Sequence, residues 1–191
     1  IILHPEFHEY KNKKRLINFT PKKIFVCFGG SDPKGLTLLT IPILLKLKFS
    51  LKINIIIGHA FSWKEKVLSL VDSDNRFCVS SGISNIANII WQSDLAIISA
   101  GTLLYETCAL GLPTIVIAQN KDQNHEANFF QKAGATINLG QIETLSEETI
   151  YQCIVKMIYD KSLRESLSIK GRQLVPVDGT NHIVTNLLKI I

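Results

Sequence analysis

The chain has 191 residues, of which 46% are hydrophobic and 19% are charged, a composition typical of a soluble globular protein with a sizeable core. No apolar run reaches the roughly 18 residues that a membrane-spanning helix needs. The net charge is +5, and six basic residues lie before position 24: Lys11, Lys13, Lys14, Arg15, Lys22 and Lys23. They match no known nucleic-acid-reading motif, so they predict a solvated connector.

The four cysteines are widely spaced and form no Cys-x-x-Cys motif, and three of them lie in apolar segments. This pattern predicts buried, reduced thiols in a cytoplasmic protein. The chain begins with Ile-Ile rather than Met, so we expect a fragment whose upstream part is missing. Residues 1–22 are polar and irregular apart from Leu3 and Phe7, which could dock on a neighbouring surface. They predict an interdomain connector, and residues 23–191 predict one domain.

In the rest of the chain, short apolar runs of buried-strand length alternate with helical patterns. The predicted strands are Ile24–Phe28, Ile53–Ile57, Phe77–Val79, Leu95–Ile98, Thr114–Ala118 and Ala135–Leu139. The predicted helices are Leu36–Leu47 (kinked or started late by Pro42), Phe61–Val71, Asn85–Trp91, Thr102–Leu110, Asn124–Ala133, Ser146–Ile158, Ser162–Gln173 and Asn181–Ile191. This alternation predicts an α/β fold, a Rossmann-like doubly wound parallel sheet. We expect the strand order that is usual for such sheets, 3-2-1-4-5-6.

Two turns of small residues follow the first and fourth strands. Gly29-Gly30-Ser31-Asp32 comes after the first, and its glycines permit positive φ and close approach of a ligand. Ser99-Ala100-Gly101 comes after the fourth and leads into the helix that starts at Thr102. The predicted order makes these two strands neighbours, so both turns should share the crevice where such sheets bind ligands. Their convergence favours a nucleotide site.

The helix that starts at Thr102 should direct free N–H groups and the positive end of its dipole at an anion, typically a phosphate. Glu106 lies one turn further along the same face, where a carboxylate could accept hydrogen bonds from a sugar diol. Alternatively, Glu106 only complements the helix N-terminus. In the first segment, His4 and His8 have no third ligand nearby, so no metal site is predicted.

The stretch from Ser99 to Glu106, followed by Gly111-Leu-Pro113, resembles the donor-binding signature of MurG-like glycosyltransferases. The chain is more similar to the UDP-sugar hydrolase of pseudaminic acid synthesis (PseG) and the related spore-coat polysaccharide protein (SpsG). The features that carry this second resemblance are Pro5-Glu-Phe7, Phe28-Gly-Gly-Ser-Asp32, Asp122-Gln123 and Val177-Asp-Gly179. Both resemblances imply the C-terminal half of a GT-B architecture, which holds the UDP part of a UDP-sugar.

The resemblance also implies roles for individual residues. Gly101 and Thr102 would meet the diphosphate, and Glu106 would accept hydrogen bonds from the ribose hydroxyls. The turn at 29–32 would line the side of the site that meets the phosphates and the sugar. Gln123 and Asn124 lie where relatives place amides, although an ordinary polar loop is the alternative, and His125 is expected to be a solvated loop residue. The implied substrate-binding set is Gly29, Gly30, Ser31, Asp32, Ser99, Ala100, Gly101, Thr102, Leu103, Glu106, Gln123 and Asn124.

The family's water-activating histidine belongs to the N-terminal half, so the resemblance implies a nucleotide clamp that lacks the catalytic base. The resemblance implies no metal and no cofactor. The expected function is part of a UDP-sugar hydrolase of surface-polysaccharide or pseudaminic acid biosynthesis. The expected partners are the UDP-sugar and the missing N-terminal domain of the same protein. Two alternatives stay open: the donor-binding domain of a MurG-like glycosyltransferase, and a non-catalytic nucleotide-sugar-binding module.

Overall fold

The structure, a computed structural model, describes residues 1–188. In that range the strands are β1 (Lys23–Cys27), β2 (Lys52–Ile57), β3 (Phe77–Ser81), β4 (Leu95–Ile98), β5 (Thr114–Ala118) and β6 (Ile137–Gln141). The α-helices are α1 (Leu36–Leu45), α2 (Lys64–Val71), α3 (Ile86–Gln92), α4 (Thr102–Ala109), α5 (Lys121–Lys132), α6 (Glu147–Tyr159), α7 (Lys161–Leu174) and α8 (Gly179–Leu187). A 3₁₀ helix, Pro5–Tyr10, precedes β1.

The six strands form one sheet in the order β3-β2-β1-β4-β5-β6, and every neighbouring pair is parallel. This confirms the predicted fold class and strand order. In the register of β1 and β4, Cys27 lies opposite Ile98. The turns that follow these strands therefore leave the sheet side by side, as the predicted convergence requires.

Each face of the sheet is covered by its own apolar cluster, because successive side chains of a strand point to opposite faces. On one face, Ile24 and Val26 of β1 pack with residues of α1, α2 and α6. On the other, Phe25 and Cys27 pack with residues of α3, α4, α5 and the N-terminal segment. Central strands buried on both faces read as continuous apolar runs, which is why they were recognisable in the sequence.

Several predicted boundaries need correction. β6 begins two residues later than predicted, because Ala135 N bonds Phe130 O and Gly134 adopts a φ of 73° to end α5. α5 itself begins at Lys121 rather than Asn124, since the Asn120 side chain caps it.

Other boundaries also differ from the prediction. β3 extends to Ser81, and α2 begins only at Lys64. Pro42 lies inside α1 without delaying its start. The predicted last helix begins earlier, and its last three residues lie outside the described range.

The N-terminal segment is docked on the domain, and its basic residues are not uniformly solvated. Phe7 is fully buried in the second cluster, and Leu3 is nearly so. Arg15 was expected in a solvated stretch, but its guanidinium donates to Leu110 O, Ser93 O and Ile90 O at 2.7–2.9 Å and lies over the Trp91 ring. These bonds satisfy the last carbonyls of α3 and α4, which a helix leaves without intrahelical partners.

The cysteines are all free, but they do not share one environment. Cys27 and Cys108 are buried, as expected, and burial raises the pKa of the Cys27 thiol to about 11. Cys153 is half-buried, and Cys78 is exposed on β3, one of the two edge strands of the sheet. The expectation of buried thiols is therefore wrong for Cys78. Among residues 1–188, no helix is both long and apolar enough to span a membrane.

Candidate functional site

A cleft of about 370 Å³ opens at the carboxyl edge of the sheet, where β1, β4 and β5 end. It contains ten of the twelve residues expected in the substrate-binding set, all except Glu106 and Asn124. Four lining residues were not expected. The cleft is lined by Phe28, Gly29, Gly30, Ser31, Asp32, Pro33, Ser99, Ala100, Gly101, Thr102, Leu103, Gln119, Asn120 and Gln123.

The turn after β1 is shaped by backbone requirements. Gly29 has a φ of 91°, a conformation that glycine adopts without strain. Asp32 also has a positive φ, of 44°, and is nearly fully buried. Its carboxylate accepts hydrogen bonds from the backbone N–H groups of Leu36 and Thr37 at 2.8–2.9 Å. Asp32 thus fixes the turn that leads into α1, which begins at Leu36 as predicted.

The turn after β4 leads into a helix whose N-terminus no side chain caps. α4 begins at Thr102, and its N-cap, Gly101, has a φ of 135°. No acidic residue lies in its first turn. By contrast, Asp32 caps α1, and Asn120 caps α5 by accepting from Gln123 N at 2.9 Å. Of these three helices around the cleft, α4 therefore presents first-turn N–H groups to the cleft without competition from a capping side chain.

Gln119, which follows β5 directly, joins the ends of three strands and was missed by the sequence analysis. Its Nε2 donates to Phe28 O at 2.8 Å and to Ser99 Oγ at 3.2 Å. Its Oε1 is buried and has no hydrogen-bond partner among the described residues. The rule that placed the ends of β1 and β4 together applies equally to β5, so the strand order alone could have identified Gln119.

The residues after Gln119 lie on a helix rather than in the expected loop. Gln123 lines the cleft, but its Oε1 accepts from Gln119 N at 2.9 Å, so it also stabilises the start of α5. Asn124 does not line the cleft: its Oδ1 accepts from Asn138 Nδ2 at 2.8 Å and links α5 to β6. His125 is exposed, as expected of a solvated residue, but on α5.

Glu106 lies one turn inside α4, half-buried, and does not line the cleft. Burial, and then the nearby charge of Glu6, raises the pKa of Glu106 to about 7. The Glu6 side chain is only 14% exposed and accepts from Ala87 N at 3.2 Å, at the start of α3. His4 Nδ1 lies 3.6 Å from the other Glu6 oxygen. The 3₁₀ helix thus brings a second carboxylate near enough to Glu106 to raise its pKa, a relationship that sequence spacing does not reveal.

The lining residues define what this cleft can do chemically. Asp32 is the one charged residue among them, and its carboxylate is already hydrogen-bonded to the start of α1. No lysine, arginine or histidine is among the lining residues. An anion would therefore be held by backbone N–H groups and the α4 dipole. The same lining supplies no general base for an attacking water or hydroxyl.

Comparison with known proteins identifies a family match over most of the chain. The model of the glycosyltransferase family 28 C-terminal domain matches residues 25–173. The spore coat polysaccharide biosynthesis protein SpsG of Bacillus subtilis is 30% identical over 185 residues, covering 94% of this chain and 53% of that protein. A second relative, from Caldicellulosiruptor saccharolyticus, is 28% identical over 129 residues, covering 62% of this chain and 35% of that protein. It is named UDP-N-acetylglucosamine–N-acetylmuramyl-(pentapeptide) pyrophosphoryl-undecaprenol N-acetylglucosamine transferase. The chain spans about half or less of the length of these relatives.

The fold has matches among solved structures. MurG of Acinetobacter baumannii superposes with a TM-score of 0.73 at 22% identity, covering 93% of this chain and 55% of that protein. The glycosyltransferase WaaG superposes with a TM-score of 0.66 at 19% identity. The fold is therefore that of the C-terminal domain of GT-B glycosyltransferases. The names of these relatives describe polysaccharide biosynthesis or sugar transfer, so the expected hydrolase assignment has no support from them.

Proposed function

This chain belongs to the glycosyltransferase family 28 C-terminal domain family, and we propose that it binds the UDP part of a UDP-activated sugar in the cleft at the carboxyl edge of its sheet. Because the chain spans about half of its relatives' length, we place the acceptor site in a second domain of the same protein. Sugar transfer to an acceptor hydroxyl fits the relatives better than hydrolysis. The cytoplasmic location expected from the free cysteines stays a prediction.

The uncapped N-terminus of α4 is the observation that supports this proposal most directly. Thr102 and Leu103, in its first turn, both line the cleft. Backbone N–H groups at a helix start, together with the helix dipole, bind phosphate without help from a cationic side chain. The diphosphate would lie there, between the turn at 99–101 and the turn at 29–32.

The nucleoside would extend from the diphosphate along α4 towards Glu106. Glu106 lies four positions after Thr102, which corresponds to about 6 Å of helix rise, so both face the same side one turn apart. This distance suits a ribose joined to the bound diphosphate, with its two hydroxyls donating to the Glu106 carboxylate. The UDP-sugar named in the Caldicellulosiruptor relative supports uracil as the base.

Calorimetric titration of the chain with UDP and UMP tests the proposal. UDP should bind more tightly, because its second phosphate reaches the start of α4. Thr102→Asp places a carboxylate among the first-turn N–H groups, which favours the helix but repels a phosphate. We expect this variant to keep its melting temperature and to bind UDP at least about tenfold more weakly.

Thr149→Asp is the matched control. Thr149 is exposed in the first turn of α6, outside the residues that line the cleft, and the substitution adds the same charge. Its UDP affinity should equal that of the wild type. Equal binding of UDP and UMP, or loss of affinity in both variants alike, would contradict a diphosphate site at α4.

A further inference from the structure

Gln119 lines the cleft and carries a buried hydrogen-bond acceptor that the protein itself does not use. The residue is 6% exposed and lines the cleft. In the part of the chain that the structure describes, Gln119 Oε1 and Thr136 Oγ1 are the two buried side-chain polar atoms without a partner. Thr136 is not among the residues that line the cleft. A buried acceptor without a donor is destabilising, and because Gln119 lines the cleft, a bound ligand is a source of the missing donor.

The orientation of the Gln119 amide follows from its neighbours. Phe28 O lies 2.8 Å from the amide atom that faces it, and a carbonyl oxygen can only accept. The atom facing Phe28 is therefore Nε2, and a flipped amide would place two acceptors against each other. The second Nε2 hydrogen goes to Ser99 Oγ. Both donor hydrogens are used, so Oε1 is what Gln119 has left to offer a ligand.

Ser99 provides the complementary group. Its Oγ accepts from Gln119, so its hydroxyl hydrogen can be donated elsewhere. Ser99 also lines the cleft and is 5% exposed. The ends of β4 and β5 thus place one available donor beside one available acceptor. This pair matches a hydroxyl group, which both donates and accepts.

We propose that Gln119 Oε1 accepts a hydrogen bond from a hydroxyl group of the sugar carried by the bound nucleotide. The assignment rests on the proposed function. An ionised diphosphate offers acceptors only and cannot satisfy Oε1, whereas the sugar beyond the diphosphate carries several hydroxyl donors. Gln119 therefore distinguishes a nucleotide-sugar from the free nucleotide, and favours sugars with a hydroxyl at the position it faces.

The test compares the wild type with Gln119→Met, which keeps the length of the side chain without its hydrogen bonds. UDP and UDP-N-acetylglucosamine are the two probes, measured by calorimetry. Affinity for the nucleotide-sugar should fall about tenfold in the variant, and affinity for UDP less than about twofold. Thr136→Val removes the other unpaired buried oxygen, away from the cleft, and should leave both affinities unchanged.

A series of UDP-N-acetylglucosamine analogues, each lacking one sugar hydroxyl, identifies the partner. One deoxy analogue should bind the wild type about tenfold more weakly than the parent, and should show no such loss with Gln119→Met. A role limited to bracing the three strand ends would not produce this coupling. If every analogue binds the wild type as tightly as the parent, the assignment is overturned without any variant.

The two proposals fail in different ways. If Gln119→Met weakens UDP and UDP-N-acetylglucosamine equally, Gln119 is structural and only this inference is overturned. If the wild type binds neither probe, the proposed function is overturned and the role of Gln119 with it.

Discussion

Gly58, directly after β2, packs against the backbone of Gly30 in the turn that follows β1. A Cβ atom on Gly58 would overlap the carbonyl oxygen and α carbon of Gly30. The contact continues with Ala60 N, which donates to Gly30 O at 3.2 Å. Residues 58–60 thus support the turn at 29–32, and none of them is among the residues that line the cleft. Glycine is required at position 58 because two backbone segments meet there without room for a side chain.

We expect Gly58→Ala to disturb this support. The added methyl group must displace backbone, so the free energy of unfolding should fall by more than about 2 kcal/mol, with weaker UDP binding as the turn moves. Gly30→Ala is the matched change from the other side of the contact. A Cβ on Gly30 meets nothing within 4 Å, so stability should change by less than about 1 kcal/mol while the cleft narrows. Chemical denaturation of both variants checks this, and equal stability of the two would contradict it.

The raised pKa of Glu106 predicts a pH dependence of stability. Glu106 holds its proton to about pH 7 in the folded chain, against an ordinary pKa of 4.5. Between these values the folded state binds more protons than the unfolded state, so stability should fall as pH rises from about 4.5 to about 7 and then level off. Glu106→Gln should flatten this part of the profile in thermal unfolding measurements. A wild-type profile that rises through this range would count against the raised pKa.

The same titration should appear in nucleotide binding. An ionised carboxylate is the stronger acceptor for ribose hydroxyls, so the UDP affinity should increase as pH rises through about 7. Removing the neighbouring charge with Glu6→Gln should lower the pKa of Glu106 and move the midpoint to lower pH. The Glu106→Gln variant, measured in parallel, separates the pH dependence that comes from titration of UDP itself from the part that comes from Glu106. An identical pH dependence in that variant would remove Glu106 from the site.

Arg15 should contribute strongly to stability despite lying in a polar segment. Its guanidinium bonds three carbonyls and lies over Trp91, and burial lowers its pKa to about 10. Arg15→Ala leaves those helix ends without their donors, so we expect a loss of about 2–4 kcal/mol in the free energy of unfolding. Lys14→Ala, at an exposed neighbouring position, should change it by less than about 0.5 kcal/mol. Similar losses in both variants would contradict the docking role of Arg15.

The 191-residue chain should bind a nucleotide-sugar without turning it over. The residues that line its cleft include no histidine or free carboxylate to activate water. UDP release from a UDP-diacetamido-trideoxy sugar or UDP-N-acetylglucosamine should stay at background, whereas a chain extended upstream should be active with its own acceptor. Robust turnover by the short chain, abolished by His125→Ala, would show that the catalytic centre lies on α5.

Patterns local to the chain determined the fold and most of the cleft. Parallel strands buried on both faces are continuous apolar runs, and the strand order then placed Gly29 and Ala100 at one edge of the sheet. Turns of small residues directly after two such strands, with the start of the helix that follows the second, identified nine lining residues, and the family resemblance added Gln123. These features can be predicted from the sequence because strand burial and turn geometry depend on neighbouring residues.

The tertiary structure alone decided how distant residues meet. Three relationships join parts of the chain that no sequence period connects: Gly58 packs against Gly30, the charge of Glu6 acts on Glu106, and Arg15 bonds the ends of two helices. Gln119 likewise acquires its orientation from Phe28 and Ser99 on other strands. Hydrogen-bond partners and desolvation depend on which surfaces pack together, so pKa values and unpaired polar atoms emerge only once the chain is folded.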